Sequence, residues 1–179
     1  MLVESALSRR FDDALGHGSL SPEETGRGTV QNLQSTPVRA PGHLWAVGAI
    51  SLLWNAFGCF DYTMTKLDPA GYMKSMGMGD VEIAYMQGLP AWLSVFWALG
   101  VWGSLAGSVL LLLRSRHAVT AFAVSLLGLV VSQGYQFADA AMPASMNSPA
   151  MLGVSAVIWI SLLFFLWYST RMKAAGVLR

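Results

Sequence analysis

The chain alternates between four long apolar segments and shorter polar ones. The apolar segments run approximately over Leu44–Phe60, Leu89–Leu113, Ala118–Phe137 and Ala150–Tyr168, and none contains Asp, Glu, Lys or Arg. A helix needs about 20 apolar residues to cross a hydrocarbon core of about 30 Å. Buried helices of soluble domains usually show a polar stripe, which these segments lack. The pattern predicts an all-α integral membrane four-helix bundle over residues 42–170, with hairpins 1–2 and 3–4 side by side.

The polar connections on one side of the spans predict short interfacial helices. Asp68, followed by a proline, is typical of a helix start, and that helix should end near Gly77. We expect Asp80 to cap a second helix over residues 81–87. Both carry apolar side chains, so we expect them to lie on the membrane or across the bundle mouth. The connection over residues 138–149 contains prolines and should be irregular.

Composition supports the membrane class and narrows the function. The chain is 54% hydrophobic and 12% charged, with a mean hydropathy of +0.50. Soluble domains carry roughly 25% charged residues. A formal net charge of +1 gives no electrostatic basis for binding nucleic acid. A single cysteine, Cys59, excludes an intramolecular disulfide framework.

Basic residues predict the orientation. Nine lie on one side of the predicted spans, and only Lys66 and Lys74 lie on the other. The positive-inside rule therefore places both termini in the cytoplasm and the short helices in the periplasm. The nine are Arg9, Arg10, Arg27, Arg39, Arg114, Arg116, Arg171, Lys173 and Arg179.

The two ends of the chain are predicted to be cytoplasmic tails, over residues 1–41 and 171–179. The first 40 residues contain no apolar core, so we expect no cleavable signal peptide. Apolar residues recur at helical spacing near the start, which predicts one short amphipathic helix in an otherwise flexible tail. They are Val3, Leu7, Phe11 and Leu15.

Polar residues within the spans predict a layer at one depth. Asn55 lies six residues before Asp61, and Gln133 lies six before Asp139, about 9 Å below the periplasmic edge. Ser94 and Ser155 would lie near the same level. One interpretation is a small-solute pocket with Trp54 or Trp92 as a stacking wall, and its candidate ligand-binding residues are Asn55, Asp61, Trp92, Gln133, Gln136 and Asp139. The alternative is hydrogen bonding between helices, with Asn55 bonded to Gln133, at about 0.6 kcal/mol each, and with the acids marking the span ends.

Small residues in the second span predict close helix packing. Gly100, Gly103 and Gly107 share one face, and their partner is another span or another subunit. Gly128, in the third span, is expected to be a less constrained comparison.

Methionines gather on the predicted periplasmic side. Thioethers are soft ligands suited to Cu(I), but methionine is also a common apolar residue of interfacial helices. The three histidines all map to the cytoplasmic side, so we expect no metal site and no cofactor. The methionines are Met64, Met73, Met76, Met78, Met86, Met142, Met146 and Met151.

Several motifs resemble a family of small proteobacterial four-span proteins. They are Leu53-Trp-Asn-Ala-Phe-Gly-Cys-Phe-Asp-Tyr62, Tyr85, Leu89-Pro-Ala-Trp92, the run from Trp97 to Arg114, Ala118, and Ser125-Leu126. The resemblance covers roughly residues 43–137, and Met76 and Met78 stand where more polar residues are expected. It implies a bacterial inner membrane and supplies no catalytic residues. The family has no established biochemical role, although automatic naming sometimes calls its members sugar transporters.

No acid, base or histidine lies within a predicted span, and no catalytic set or phosphate-binding loop is visible in the sequence. We therefore expect no enzyme. The leading hypothesis is a non-catalytic accessory or interaction protein of the inner membrane. The alternative is a small-solute permease acting as a homo-oligomer. Expected partners are the lipid bilayer and either further copies of the chain or a larger membrane complex, with no nucleic acid.

Overall fold

A computed structural model describes residues 39–179, and the predicted helix near residues 3–15 lies outside this range. Four helices are long and apolar enough to cross a membrane: α1 (Gly42–Leu67), α4 (Ala91–Leu112), α5 (His117–Ala138) and α6 (Pro149–Ala174). Two short helices, α2 (Pro69–Ser75) and α3 (Asp80–Gly88), separate α1 from α4. A 3-10 helix, η1 (Ala144–Asn147), precedes α6. The chain is an all-α, multi-pass membrane protein, as predicted.

The helices at both edges of the bundle continue beyond the apolar segments. Helix α1 ends at Leu67 and contains Asp61 and Lys66, and α6 runs on to Ala174. Neither extension contains glycine or an internal proline, so the backbone stays helical where the side chains become polar. The apolar pattern marks the membrane-crossing part of each helix and not its full length.

The two short helices start differently. The Asp68 carboxylate accepts a hydrogen bond from the Gly71 amide at 3.0 Å, and Pro69 occupies the first helical position, as the sequence predicts. The expected capping role of Asp80 is wrong. Helix α3 begins at Asp80 itself, after Gly79, which makes no side-chain cap bond. Asp80 instead forms a 3.1 Å ion pair with Lys74, and this pair joins α2 to α3.

The four long helices pack in chain order. Helix α4 packs most closely against α5, α1 packs on α4, and α6 packs loosely on α5. Spans one and two (α1 and α4) and spans three and four (α5 and α6) therefore form two hairpins side by side, as predicted, and the closest contact is the central α4–α5 pair between them. Small residues on both helices of the central pair explain its closeness.

Glycines set the α4–α5 separation. A β-carbon built at Gly128 would lie 2.5 Å from both the Gly100 nitrogen and the Phe96 carbonyl oxygen. One at Gly103 would lie 3.2 Å from the Ser125 β-carbon, and one at Gly107 would lie 2.9 Å from the Phe122 ring. The three glycines predicted on α4 thus face α5. Gly128 is the tightest of these positions, so its expected role as a less constrained comparison is wrong.

The bundle has two chemically different ends. The cap end comprises the end of α1 from Asp61, helices α2 and α3 with the residues up to 90, and residues 139–151. The basic end comprises residues 39–47, residues 111–118 and residues 168–179. An apolar group, the basic-end cluster, fills the latter, and His43 Nδ1 lies 2.6 Å from the Tyr168 hydroxyl beside it. The cluster consists of Leu44, Leu111, Ala118, Tyr168, Val177 and Leu178.

The last residues fold back onto the basic end. Gly176 has a φ of 69°, which reverses the chain after α6. The Arg116 amide donates to the Arg179 carbonyl, and the Arg179 amide donates to the Arg114 carbonyl, each at 2.8 Å. Val177 and Leu178 are buried between these bonds and α1. The segment predicted as a tail therefore includes an ordered strap across the connection between α4 and α5.

Candidate ligand site

Asn55 belongs to a polar cluster between α1 and α4. Its amide nitrogen donates to the Ser108 hydroxyl at 2.9 Å and to the Ser51 hydroxyl at 3.2 Å. The two serine hydroxyls are themselves 2.7 Å apart, and Ser108 also donates to the Ser104 carbonyl. All of these side chains are buried, with Asn55 only 9% exposed. The amide is therefore turned inward and used in holding two helices together.

The expected bond between Asn55 and Gln133 is not formed. Gln133 accepts a hydrogen bond from the Trp159 indole at 2.6 Å, which joins α5 to α6. Gln136 donates to the carbonyl of Ser132 on its own helix. Equal depth in the membrane was the basis of the expectation, but depth does not determine which faces of two helices meet. The single polar layer that was predicted is therefore replaced by two separate groups, one around Asn55 and one around Gln133.

Both acids at the span ends bind tyrosines of the short helices. The Tyr72 hydroxyl donates to Asp61 at 3.0 Å, and the Tyr85 hydroxyl donates to Asp139 at 3.1 Å. Burial, followed by the bond to Asp61, raises the pKa of Tyr72. The same causes, with Asp139 as the partner, raise the pKa of Tyr85 to about 12. Each aspartate therefore anchors one cap helix to one spanning helix.

The tryptophans expected as stacking walls lie elsewhere. Trp92 is 48% exposed and packs edge-on against Phe96 and Tyr135, with ring centroids 5.8 and 5.5 Å away. Trp54 is 40% exposed. Neither lines the two cavities found at the cap end of the described chain.

One cavity, here called the lysine cavity, has a volume of about 320 Å³. Lys66 and Ser94 line it, and the Lys66 ammonium donates to the Ser94 hydroxyl at 2.7 Å. The ammonium also lies 5.7 Å from the Trp97 ring centroid, within cation–π range. Gln136 also lines this cavity. The cation in this cavity is already held by a hydroxyl and an aromatic ring.

The second cavity, here called the methionine cavity, has a volume of about 360 Å³. Gln133, Gln136 and Ser155 of the predicted polar layer line it. Most of its other lining residues belong to the cap end. The cavity extends along α6 as far as Ile158, on the order of 13 Å from the start of that helix at Pro149. Four methionines contribute to the lining: Met78, Met142, Met146 and Met151.

A carboxylate joins the thioethers in the methionine cavity. Glu82 accepts a hydrogen bond from the Ser145 hydroxyl, and both side chains line the cavity. That bond is the main cause of the lowered pKa of Glu82, which keeps the carboxylate charged at neutral pH. The whole cap end shares this sign, with five acidic residues against two lysines. The cavity therefore combines one carboxylate with four methionine side chains in a lining that is otherwise largely apolar.

Within residues 39–179, His, Cys, Asp and Glu side chains form no group of three or more that could hold a metal ion. His43 and His117 lie at the basic end.

Comparison with known proteins gives no relative. No protein-family model, no curated protein and no solved structure matches the chain. The resemblance to small proteobacterial four-span proteins therefore stays a prediction, and no family is identified.

Sequence reasoning placed Gln133 and Ser155 near one level and named Gln136 as a further candidate, and the structure brings all three to one cavity. It missed Glu82 and Ser145, because they lie in different connections and meet only in the folded chain. It also missed the grouping of four methionines from three segments. The sequence predicts that all eight methionines lie on one side of the membrane, but it does not indicate which of them line the same cavity.

Proposed function

We propose that the chain is a non-catalytic accessory protein of a bacterial inner membrane that receives its ligand at the cap end. The observation that carries this proposal is the contrast between the two ends. The methionine and lysine cavities lie at the cap end, whereas the buried basic-end cluster and the strap fill the other. A ligand site closed on one side suits binding better than passage through the bundle.

The orientation that goes with this function has both termini in the cytoplasm. The described part of the basic end carries six basic and no acidic residues. Juxtamembrane Lys and Arg favour the cytoplasmic side. On this orientation the cavities face the periplasm. The six are Arg39, Arg114, Arg116, Arg171, Lys173 and Arg179.

The permease remains the second candidate, favoured by the Gln133, Gln136 and Ser155 side chains that line the methionine cavity. A carrier would have to open these groups alternately to both sides. The hydrogen bonds of Ser51, Asn55 and Ser108 favour the accessory function, because they use the buried polar groups of α1 and α4 to join the two helices and leave them unavailable to a solute.

Two-sided cysteine labelling separates these functions. Cys59→Ala removes the single native thiol, and Ser155→Cys then places a thiol in the methionine cavity. Ser161→Cys, on the same helix nearer the basic end, is the matched position. A membrane-impermeant methanethiosulfonate is added to spheroplasts and to inside-out vesicles.

We expect Ser155→Cys to react from the periplasmic side only and Ser161→Cys to react from neither side. Reaction of Ser155→Cys from both sides, or of Ser161→Cys from the cytoplasm, would establish a permease-like path. Reaction of Ser155→Cys from the cytoplasm alone would reverse the orientation.

A further inference from the structure

The methionine cavity brings together thioethers from three separate segments. Met78 lies between α2 and α3, Met142 and Met146 lie in the connection before α6, and Met151 lies in the first turn of α6. The four residues do not share one helix face, so only the tertiary fold brings them together. Four of the eight cap-end methionines face this one space.

Packing alone gives a poor account of this grouping. Methionine is often used in cores because its flexible side chain fills irregular gaps. Here the four side chains and ten other residues line a cavity of about 360 Å³ that remains open. Met151 is 42% exposed, so it is not a core residue. The arrangement places four methionine side chains in the wall of one open cavity.

The electrostatics of the cavity favour a cation. The Glu82 carboxylate lines it and is held by Ser145, the Lys74 ammonium nearby is engaged by Asp80, and Lys66 lies in the other cavity. Acidic residues outnumber basic ones at the cap end by five to two. Neutral thioethers select soft ions, and Cu(I) is the soft monovalent cation that they suit.

We propose that the methionine cavity binds one soft monovalent metal ion, Cu(I), through the sulfur atoms of Met78, Met142, Met146 and Met151. The carboxylate of Glu82 supplies charge to the site and is not required as a ligand. This inference rests on the proposed function, since it names the ligand received at the cap end.

Silver ion is the probe, because Ag(I) shares the softness of Cu(I) and requires no reductant. Binding is measured by titration calorimetry on the detergent-purified Cys59→Ala chain in chloride-free buffer, so that no native thiol competes. The test variant replaces the four cavity methionines by leucine. The matched control replaces the other four cap-end methionines, Met64, Met73, Met76 and Met86, by leucine. Methionine-to-leucine changes conserve volume and cost little stability.

We expect one Ag(I) per chain in the parent and in the control. Loss of an outer-shell partner costs roughly 10–100-fold in metal affinity, so loss of the ligands themselves should weaken binding by more than about 100-fold in the test variant. Absence of binding in the parent would overturn the proposal. So would equal weakening in both variants, which indicates adsorption to methionines in general.

A second measurement does not require the methionine-to-leucine variants to fold. Methionine methyl groups are labelled with ¹³C in the Cys59→Ala chain and followed by NMR during the Ag(I) titration. Shifts confined to the four cavity methyls support the site, and shifts confined to the others contradict it. The Ag(I) measurements use purified protein, whereas the two-sided labelling uses spheroplasts and vesicles without added metal. A failed metal site therefore leaves the labelling result, and with it the proposed function, unaffected.

Discussion

The two ends of the bundle are held together by different forces. At the basic end, burial of apolar side chains and two backbone hydrogen bonds close the strap over the connection between α4 and α5. At the cap end, each short helix buries one apolar side chain, Met73 or Ile83, and the other ties include bonds between half-buried or exposed side chains. Examples are the hydrogen bond of Tyr85 with Asp139 and the ion pair of Lys74 with Asp80. Burial of a large apolar side chain contributes about 1.5–3 kcal/mol, whereas exposed ion pairs contribute about 0–1 kcal/mol.

This difference has a consequence for function. Segments that bind ligands are drawn from the less stable parts of a structure, because they must open and reclose. The cap end has that character and contains both cavities, while the basic end is built to stay closed. The α4–α5 contact lies between the two and supports both.

The largest effect is expected at Gly128. Leucine there would collide with the backbone of Gly100 and Phe96, which cannot move without separating α4 from α5. Overpacking usually costs 1–3 kcal/mol, and a clash with backbone should cost at least about 3 kcal/mol. Thermal unfolding in detergent measures the loss.

Gly134→Leu is the control, because it lies on the same helix and a β-carbon there meets nothing within 4 Å. If Gly128→Leu and Gly134→Leu are tolerated equally, the close α4–α5 contact is not the framework shared by the two ends.

The next effect is expected at the basic end. Leu178 is 5% exposed in the basic-end cluster, and Leu178→Ala should cost about 2 kcal/mol, at the lower end of the range for buried leucines. Leu113→Ala, at the same end but 70% exposed, should change stability by less than about 0.5 kcal/mol. Equal effects at both positions would show that the strap adds no burial.

A smaller effect is expected for Asn55. Asn55→Leu should cost about 1 kcal/mol, since the two serines still bond to each other. A double-mutant cycle with Ser108→Ala should give coupling of about 0.6 kcal/mol. The cycle of Asn55→Leu with Gln133→Leu should be additive, because their partners differ. Strong coupling in the second cycle would restore the single polar layer.

The smallest effect, and the one with a pH dependence, is expected at Tyr85. Tyr85→Phe should cost about 0.5–1.5 kcal/mol at neutral pH. The folded-state pKa of about 12 lies above the ordinary value of 10.0, so this stabilisation is complete below pH 10 and is lost as the pH rises towards 12. The difference in Tm between parent and Tyr85→Phe should therefore shrink over that window.

A Tyr85→Phe profile that runs parallel to the parent from pH 9 to pH 12 would show that the Tyr85–Asp139 bond does not tie the cap down.

The fold was predictable because the solvent imposes it. In lipid a spanning helix must be long, apolar and uncharged, so four such segments identify the class from pattern alone. The start of α2 at Asp68 was predictable because an aspartate before proline satisfies free amides locally. The strap was not predictable, because Val177 and Leu178 are too short a run to give a periodic signal.

The site was predictable only in part, because depth can be counted along a helix but rotation cannot. Counting brought Gln133 and Ser155 to one level, where they do line one cavity. It also paired Asn55 with Gln133, although their helices turn these amides towards different neighbours. The opposed roles expected for Gly103 and Gly128 failed for the same reason, since they lie on the same interface.

Hydrogen–deuterium exchange of the intact chain in lipid nanodiscs tests the contrast between the ends most directly. Four backbone amides are compared, all hydrogen-bonded: Arg116 and Arg179 at the basic end, and Met142 and Met146 at the cap end. Because each has a partner, a difference in rate reports local opening. We predict exchange at least about tenfold slower at the basic end, which corresponds to about 1.4 kcal/mol. Equal protection at both ends, or faster exchange of Arg116 and Arg179, would contradict the account.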